Sequence, residues 1–252
     1  MGHVYNNEFF DYIDAGARSS ARRLIHTVQP WLEAQSVVDM GSGRGVWLAQ
    51  WQEAGVEDVL AIDGDYVDRD ALAIPQNQFM AADLTKPVTL KRKFELAQSL
   101  EVGEHLPTSA AETLVDSLTK ASDRVLFSAA VTGQGGEFHI NEQPLSFWQD
   151  LFAERGYRAF DCVRPRLAND REVEPWYRYN TVLYANPDGC IGLPEEVLAT
   201  ARTTGEPLQN GGSALWKLRR TVVRALPRDT VTWIAQRRAA VLARQARARA
   251  AG

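Results

Sequence analysis

Three ionisable side chains fall within five residues at Glu101, Glu104 and His105, inside Ser99-Leu100-Glu101-Val102-Gly103-Glu104-His105-Leu106-Pro107. A further histidine, His139, lies in the glycine-rich stretch Thr132-Gly133-Gln134-Gly135-Gly136-Glu137-Phe138-His139-Ile140-Asn141-Glu142-Gln143. Groups of these types take up a proton or bind a divalent ion when the fold brings them to one place. A second pattern stands upstream, where Val37-Val38-Asp39-Met40-Gly41-Ser42-Gly43-Arg44-Gly45 is followed later by Ile62-Asp63-Gly64-Asp65. It reads as a buried strand, a glycine turn, a helix and a second strand ending in a carboxylate. Glycines let the backbone turn sharply and approach a bound molecule, and an acid at the next strand end can grip a ribose, so the pair predicts a nucleoside-cofactor site.

The acid before the glycines decides which cofactor. A dinucleotide turn of the form G-x-G-x-x-G seats a pyrophosphate on a helix N-terminus, whereas here the third glycine is Gly45, position 46 is Val, and Asp39 would face the phosphates. The D-x-G-x-G-x-G pattern instead resembles motif I of class I S-adenosylmethionine (SAM) methyltransferases, whose cofactor carries a cationic sulfonium and an amino-acid tail. The resemblance implies that Asp39, Gly41, Gly43 and Gly45 shape the methionine pocket and that Asp63 and Gly64 hold the ribose. It also implies that Ala82-Asp83-Leu84 holds the adenine edge, through Asp83 and Leu84, and that Ser99 lies at the cofactor, while a likeness to a bacterial group of these enzymes implies that Tyr12 and Ser20 reach the cofactor's carboxylate end.

The E-x-x-E-H spacing resembles ubiquinone-pathway O-methyltransferases and small-RNA terminal 2′-O-methyltransferases. In those relatives two glutamates, the histidine and a later histidine hold a divalent ion, which here implies Glu101, Glu104, His105 and His139. Mixed oxygen and imidazole ligation would admit Mg²⁺, Mn²⁺, Fe²⁺, Co²⁺ or Zn²⁺. The same motif also occurs in class I methyltransferases that need no metal, where His105 or His139 would act as the base with Glu101 beside the cofactor. Methyl transfer is an in-line displacement, so either arrangement must align an acceptor and help remove its proton. Gln134, Asn141 and Glu142 offer hydrogen bonds to a polyhydroxylated acceptor, and Trp148, Trp176 and Tyr177 offer rings to stack on it. His3 and His26 have no such company.

The elements that must position these groups follow from periodicity. Helical segments at Glu8 to Ile13 and Ser20 to Val28, closed by Pro30, are expected as caps over the cofactor within residues 1–30. Strands are expected at Ser36 to Asp39, Val59 to Ile62, Phe79 to Ala81, Phe94 to Ser99 and Val125 to Ala129, with helices at Val46 to Ala54 and Ser109 to Ala121. Alternation of this kind predicts an α/β fold with parallel strands and right-handed crossovers, binding ligands at the strands' carboxyl ends. After a helix over Leu145 to Arg155, the segments Arg158 to Val163 and Thr181 to Tyr184 resemble the closing antiparallel hairpin of the methyltransferase fold, and the resemblance implies a mostly parallel seven-stranded sheet. That is the Rossmann-like class I methyltransferase fold. The wider pattern over residues 5–186 resembles a bacterial group of these enzymes met in polysaccharide and natural-product settings.

A catalytic domain is expected over residues 1–188 and a helical, basic extension over 189–252, with a helix at Pro194 to Thr203. From Trp216 onward ten Arg or Lys stand against one Asp, a net charge of +9, which leaves −13 on the rest of a chain whose total is −4. Leu218, Val222, Leu226, Ile234 and Leu242 give this tail an apolar stripe that can dock on the acidic body, on another subunit as in a homodimer, or on an anionic surface. The acidic body disfavours a broad nucleic-acid face. The 252 residues, 45% apolar and 24% charged, suit one buried core with additions. No apolar run is long enough for a membrane span, no secretory signal is visible, and Cys162 and Cys190 have no metal-type spacing, so a cytoplasmic protein is expected. The expected activity is SAM-dependent O-methylation of a sugar, glycoside or other small polar metabolite. A catechol-type or RNA-end methyltransferase and a non-catalytic SAM-binding subunit are the alternatives.

Overall fold

The computed structural model describes residues 7–203, 205–227, 229–237 and 241, with side chains from residue 16 onward. The chain begins with α1 (Asn7–Leu32), one continuous helix where two were expected. Ala17, Ala21, Leu24, Ile25 and Val28 recur at helical spacing and are buried, so packing carries the helix through Gly16 and Ser19-Ser20. Pro30 sits inside the last turn, and Glu33, at φ +46°, closes the helix by donating its N–H to Gln29 O at 2.8 Å.

Strands and helices then alternate as β1 (Ser36–Met40), α2 (Val46–Glu53), β2 (Asp58–Asp63), β3 (Phe79–Ala81), β4 (Leu96–Leu100), α3 (Ala111–Ala121) and β5 (Arg124–Ser128). The remainder runs α4 (Leu145–Ala153), β6 (Arg158–Phe160), α5 (Val163–Leu167), α6 (Pro175–Asn180), β7 (Val182–Ala185), α7 (Glu195–Leu198), β8 (Ala201–Arg202) and α8 (Ala214–Arg224). The sheet order is β3-β2-β1-β4-β5-β7-β6-β8. Pairing is parallel from β3 to β5 and antiparallel at β5–β7, β6–β7 and β6–β8. The mostly parallel α/β architecture with its closing hairpin is therefore present.

Among the described residues the sheet has eight strands where seven were expected. The helix expected over 194–203 stops at Leu198, and the chain turns so that Ala201 pairs with Phe160. This covers an edge strand that would otherwise leave a row of backbone groups unpaired. Beyond residue 188 the chain stays on the body: Leu193 and Val197 join the core on one face of the sheet, and Leu208 joins the other.

Strand residues alternate between these two cores, as a pleated strand buried on both faces requires. Val37 and Leu126 pack with α1 and α2, including Leu24 and Trp51, while Val38 and Phe127 pack with α3 and α4, including Leu114, Trp148 and Phe152. Strand order reverses between β1's two neighbours, β2 and β4, and a sheet of this kind opens a ligand crevice at the carboxyl ends beside that point. Asp39, Asp63 and Glu101 all lie at those ends. No helix among the described residues is long and apolar enough to cross a membrane.

Candidate functional site

The glycine turn after β1 is held by backbone hydrogen bonds and by the Asp63 carboxylate. Gly41 and Ser42 donate to Ile62 O at 2.8 and 3.2 Å, and Gly45 donates to Ser42 O at 2.9 Å. Gly41 has φ +90°, and a Cβ there would lie 2.3 Å from a methyl of Val102, so the turn and the chain after β4 pack too closely for a side chain. Asp63, buried at the end of β2, accepts from Gly43 N at 2.7 Å, Gly64 N at 2.6 Å and the Tyr66 hydroxyl at 2.6 Å. Burial raises its pKa, and those three hydrogen bonds oppose the rise. Asp39, also buried, is pushed from 3.8 to about 7, chiefly by burial and further by the Asp63 charge, with Gln98 working the other way. Two buried acids thus stand beside the glycine turn, and a positive charge placed there would favour their ionised forms.

The remaining residues expected at the cofactor are differently placed. Asp83 is exposed, and its carboxylate takes the Thr85 hydroxyl at 2.6 Å, Thr85 N at 3.0 Å and Lys86 Nζ at 3.0 Å, which hold its pKa down to about 2. Ala82 N donates to Asp63 O at 2.8 Å, so this segment adjoins Asp63, with Leu84 buried beneath it. Ser99 and Ser20 are fully buried and serve packing: Ser99 donates to Met40 O at 2.7 Å, and Ser20 Oγ accepts from Glu174 N at 3.0 Å. The Tyr12 side chain and His3 lie outside the described residues, and His26 is exposed.

On the opposite wall the chain leaves β4 through Glu101, whose φ of +58° is the left-handed conformation that costs an L residue about 1–2 kcal/mol. Its N–H donates to Ser128 O at 2.9 Å, fixing the turn to β5. Its carboxylate takes Gln134 Nε2 at 2.7 Å and Asn180 Nδ2 at 3.5 Å, and Asn180 also donates to Gln134 Oε1 at 2.8 Å. Glu104 follows on a short turn, wholly buried, and neither of its carboxylate oxygens makes a hydrogen bond of ordinary geometry. Burial, then the neighbouring Glu101 charge, pushes its pKa well above the usual carboxylate range.

Ligand atoms of Glu104, His105 and His139 lie within 4.8 Å of one another. The two imidazoles meet edge to face with centroids 4.9 Å apart. Burial, then His139, lowers the His105 pKa to about 3, so this imidazole is neutral, fit to ligate and too weak a base for proton removal near neutrality. The structure thus brings together three of the four expected metal-binding residues, while Glu101 is held alongside by Gln134 and Asn180. A wholly buried carboxylate with no hydrogen bond of ordinary geometry, next to a second carboxylate and two imidazoles, is a donor set that a divalent cation fits.

Several residues expected at the acceptor are used by the protein itself. Glu142 accepts from His139 Nδ1 at 2.9 Å, Gly135 N at 2.6 Å and Gly133 N at 2.8 Å. Burial raises its pKa, but the His139 and backbone hydrogen bonds outweigh that and hold it below the usual range. It orients the histidine rather than a substrate. Asn141 is buried with Nδ2 on Gly103 O at 3.1 Å and Oδ1 accepting from Thr108 and Gln143, and Gln134 is committed to Glu101 and Asn180. Trp148 is 1% exposed, packed on Phe127 with centroids 4.9 Å apart and against Gly103. Tyr177 is buried against Trp47, and Trp176 is half-buried against the same core. Trp148→Ala is therefore expected to cost about 3–5 kcal/mol of stability, read as a large fall in Tm. An unfolding curve unchanged by that substitution would return Trp148 to the acceptor wall.

Two partners here escaped sequence reasoning. Asn180 and Ser128 were not expected at the site, and what signals their place there is position, at the ends of α6 and β5 where the sheet opens. No family model matches the chain, and no curated protein matches it. Among solved structures, human N-acetylserotonin methyltransferase in complex with SAM is 13% identical, covering 73% of this chain and 57% of that one, with a TM-score of 0.51. The glycopeptide N-methyltransferase MtfA complexed with sinefungin is 13% identical, covering 68% of this chain and 94% of that one, with a TM-score of 0.50. The riboflavin-derivative dimethyltransferase RosA from Streptomyces davawensis is 21% identical with a TM-score of 0.47, and the alignment covers 59% of this chain and 51% of RosA. The chain thus spans about half the length of RosA and 57% of the human enzyme. What the first two likenesses establish, together with the strand order above, is the Rossmann-like fold of class I methyltransferases.

Proposed function

We propose that this chain is a SAM-dependent O-methyltransferase acting on a hydroxyl of a small polar acceptor of the sugar or glycoside type, assisted by a divalent ion. The observation that carries the reading is the buried Glu104 carboxylate, with no hydrogen bond of ordinary geometry, beside His105 and His139, across the sheet opening from Asp39 and Asp63. In methyl transfer the sulfonium S–C bond breaks as a C–O bond forms, and the acceptor hydroxyl gives up its proton. Asp63 holds the ribose hydroxyls, the turn from Gly41 to Gly45 leaves room for the methionine moiety, and ionised Asp39 answers the positive charge at that end. Glu104, His105 and His139 hold the ion, with Glu142 fixing the His139 tautomer. A bound divalent ion supplies acidity to acceptor hydroxyls that coordinate it. Glu101, locked by Gln134 and Asn180, faces the same space.

A second reading rests on the His139–Glu142 pair. An imidazole whose Nδ1 is bonded to a carboxylate presents Nε2 as a base, and methyl transfer would then need no ion. Activity that survives exhaustive chelation but is lost in His139→Ala favours this base. Calorimetry is expected to show SAM binding by the native protein, weakened at least about tenfold in Asp63→Ala by loss of the ribose hydrogen bonds. Absence of binding by the native protein overturns both readings. Labelled SAM offered with sugar nucleotides and glycosides identifies the acceptor, and a product methylated on nitrogen or carbon overturns the O-methyl assignment.

A further inference from the structure

The C-terminal helix turns its apolar face away from the protein. Ser213 Oγ accepts from Trp216 N at 3.2 Å to cap α8, which lies on the loop that follows β5. Arg219 donates to Gln134 O at 2.6 Å and Arg220 to Thr132 O at 2.8 Å. Gly133 and Gly135 leave the room this needs, since a Cβ at 133 would stand 2.6 Å from Arg220 O and one at 135 would stand 2.8 Å from Val223. On the other side of the helix Leu215, Leu218, Val222 and Leu226 recur every three or four residues and are 79%, 61%, 55% and 38% exposed. Trp233 and Ile234, in the helical residues 229–237, continue the exposed set.

A surface helix of a globular protein ordinarily buries its apolar stripe and solvates its cations. Here the guanidinium side is bonded to the body and the aliphatic side is open, so among the described residues the stripe has no partner. The segment from Trp216 onward carries a net +9, which selects an anionic one. A second copy meeting this face about a two-fold axis would set one +9 segment against another. The body of a second copy, at −13, is opposite in charge, but among the described residues before α8 the exposed large apolar side chains are Tyr66, Ile140 and Ile191, which make no stripe to receive this one.

An anionic lipid surface meets both demands. Leucine, valine and tryptophan enter the boundary of the acyl region, while the exposed Lys217, Arg224 and Arg237 supply positive charge to the headgroups. We propose that α8 and the helical residues 229–237 form a docking surface for an anionic membrane, on which the protein lies without spanning it. The loop beneath α8 carries Gln134 and Glu142, so docking holds that side of the candidate site beside the lipid. The proposal does not depend on the methyl-transfer reading.

Flotation of the full chain with vesicles tests it. The protein is expected to float with vesicles of equal parts phosphatidylglycerol and phosphatidylcholine, less so as salt is raised, and not with phosphatidylcholine alone. Leu218→Glu combined with Val222→Glu is expected to weaken flotation by about tenfold or more, because two aliphatic side chains no longer enter the lipid. Thermal unfolding and SAM binding should stay unchanged in that variant, and Leu215→Glu should weaken flotation in the same direction. Failure of the native protein to float with anionic vesicles overturns the proposal, as does equal flotation by the double variant. A lipid-free dimer that the double variant dissociates assigns the stripe to a second copy and also overturns it.

Discussion

Glu104→Gln is expected to leave the metal-free protein at least as stable as the native one and to reduce methyl transfer by about 10³-fold or more, the scale of several kcal/mol that a coordinated ion contributes to such chemistry. The two effects have one origin. Glu104 is wholly buried, makes no ordinary hydrogen bond and stands beside the Glu101 charge, so burial and repulsion together drive it toward its neutral form. Glutamine keeps the shape, removes the ionisable group and so relieves the folded protein of a charge it cannot solvate. The same change removes an anionic ligand from a set of three. Native protein should therefore gain stability on adding a divalent ion, by about 2.7 kcal/mol when the ion is at a hundred times its dissociation constant, or roughly 5–10 °C in Tm for a chain of this size. The variant should gain nothing. Bound metal measured by elemental analysis, with Tm in the presence and absence of chelator, decides between the ion and the His139 base. Unchanged activity of Glu104→Gln would remove the metal-assisted reading.

How much of this was legible beforehand differs by residue. The glycine turn and the two acids were readable because each needs a particular residue type at a particular place: Gly41 sits at φ +90° against Val102, and Asp63 binds the backbone of the turn it serves. The strands were readable because a parallel strand covered on both faces is a short apolar run. β8 was not, since two residues carry no periodicity and Ala201-Arg202 becomes a strand only because β6 offers an edge. The single α1 was missed for the opposite reason: Gly16 and two serines look like a break, yet Gly16 is where Glu174 packs, 3.1 Å from the position a Cβ would take.

At the site the difficulty was direction. Asn141, Glu142 and Gln134 are polar loop residues, and composition is the same whether such groups face a ligand or tie the loop together. All three turn inward, to Gly103, to His139 and to Glu101. The stripe on α8 shows the same limit, because helical spacing tells which residues share a face and not which way that face points. Arg219 and Arg220 found backbone carbonyls on the body, and the leucines were left outside.

Direction also matters for Asp39, whose substitution is expected to separate stability from cofactor affinity. Burial moves its pKa from 3.8 to about 7, a difference of roughly 4 kcal/mol between the protonated and ionised forms in the folded protein. An acid raised in this way makes the folded state bind more protons than the unfolded one. The stabilisation is present at low pH and is lost as pH rises from about 4 to about 7, above which the loss is complete. Asp39→Asn should therefore raise Tm at pH 8 and change it little near pH 4. SAM acts in the opposite sense, since its cationic end favours the ionised carboxylate and binding must expel the proton wherever Asp39 holds one. Native affinity should thus fall about tenfold for each pH unit below 7, or about a hundredfold by pH 5, with Asp63, whose pKa burial also raises, acting in the same direction. Calorimetry in buffers of different ionisation enthalpy should register the released proton at pH 6, and in Asp39→Asn that release should shrink and affinity should be weak at every pH. Native affinity that does not vary between pH 5 and 8, or an Asp39→Asn protein that binds SAM as the native one does, would separate this acid from the cofactor's positive charge and leave it a purely structural residue.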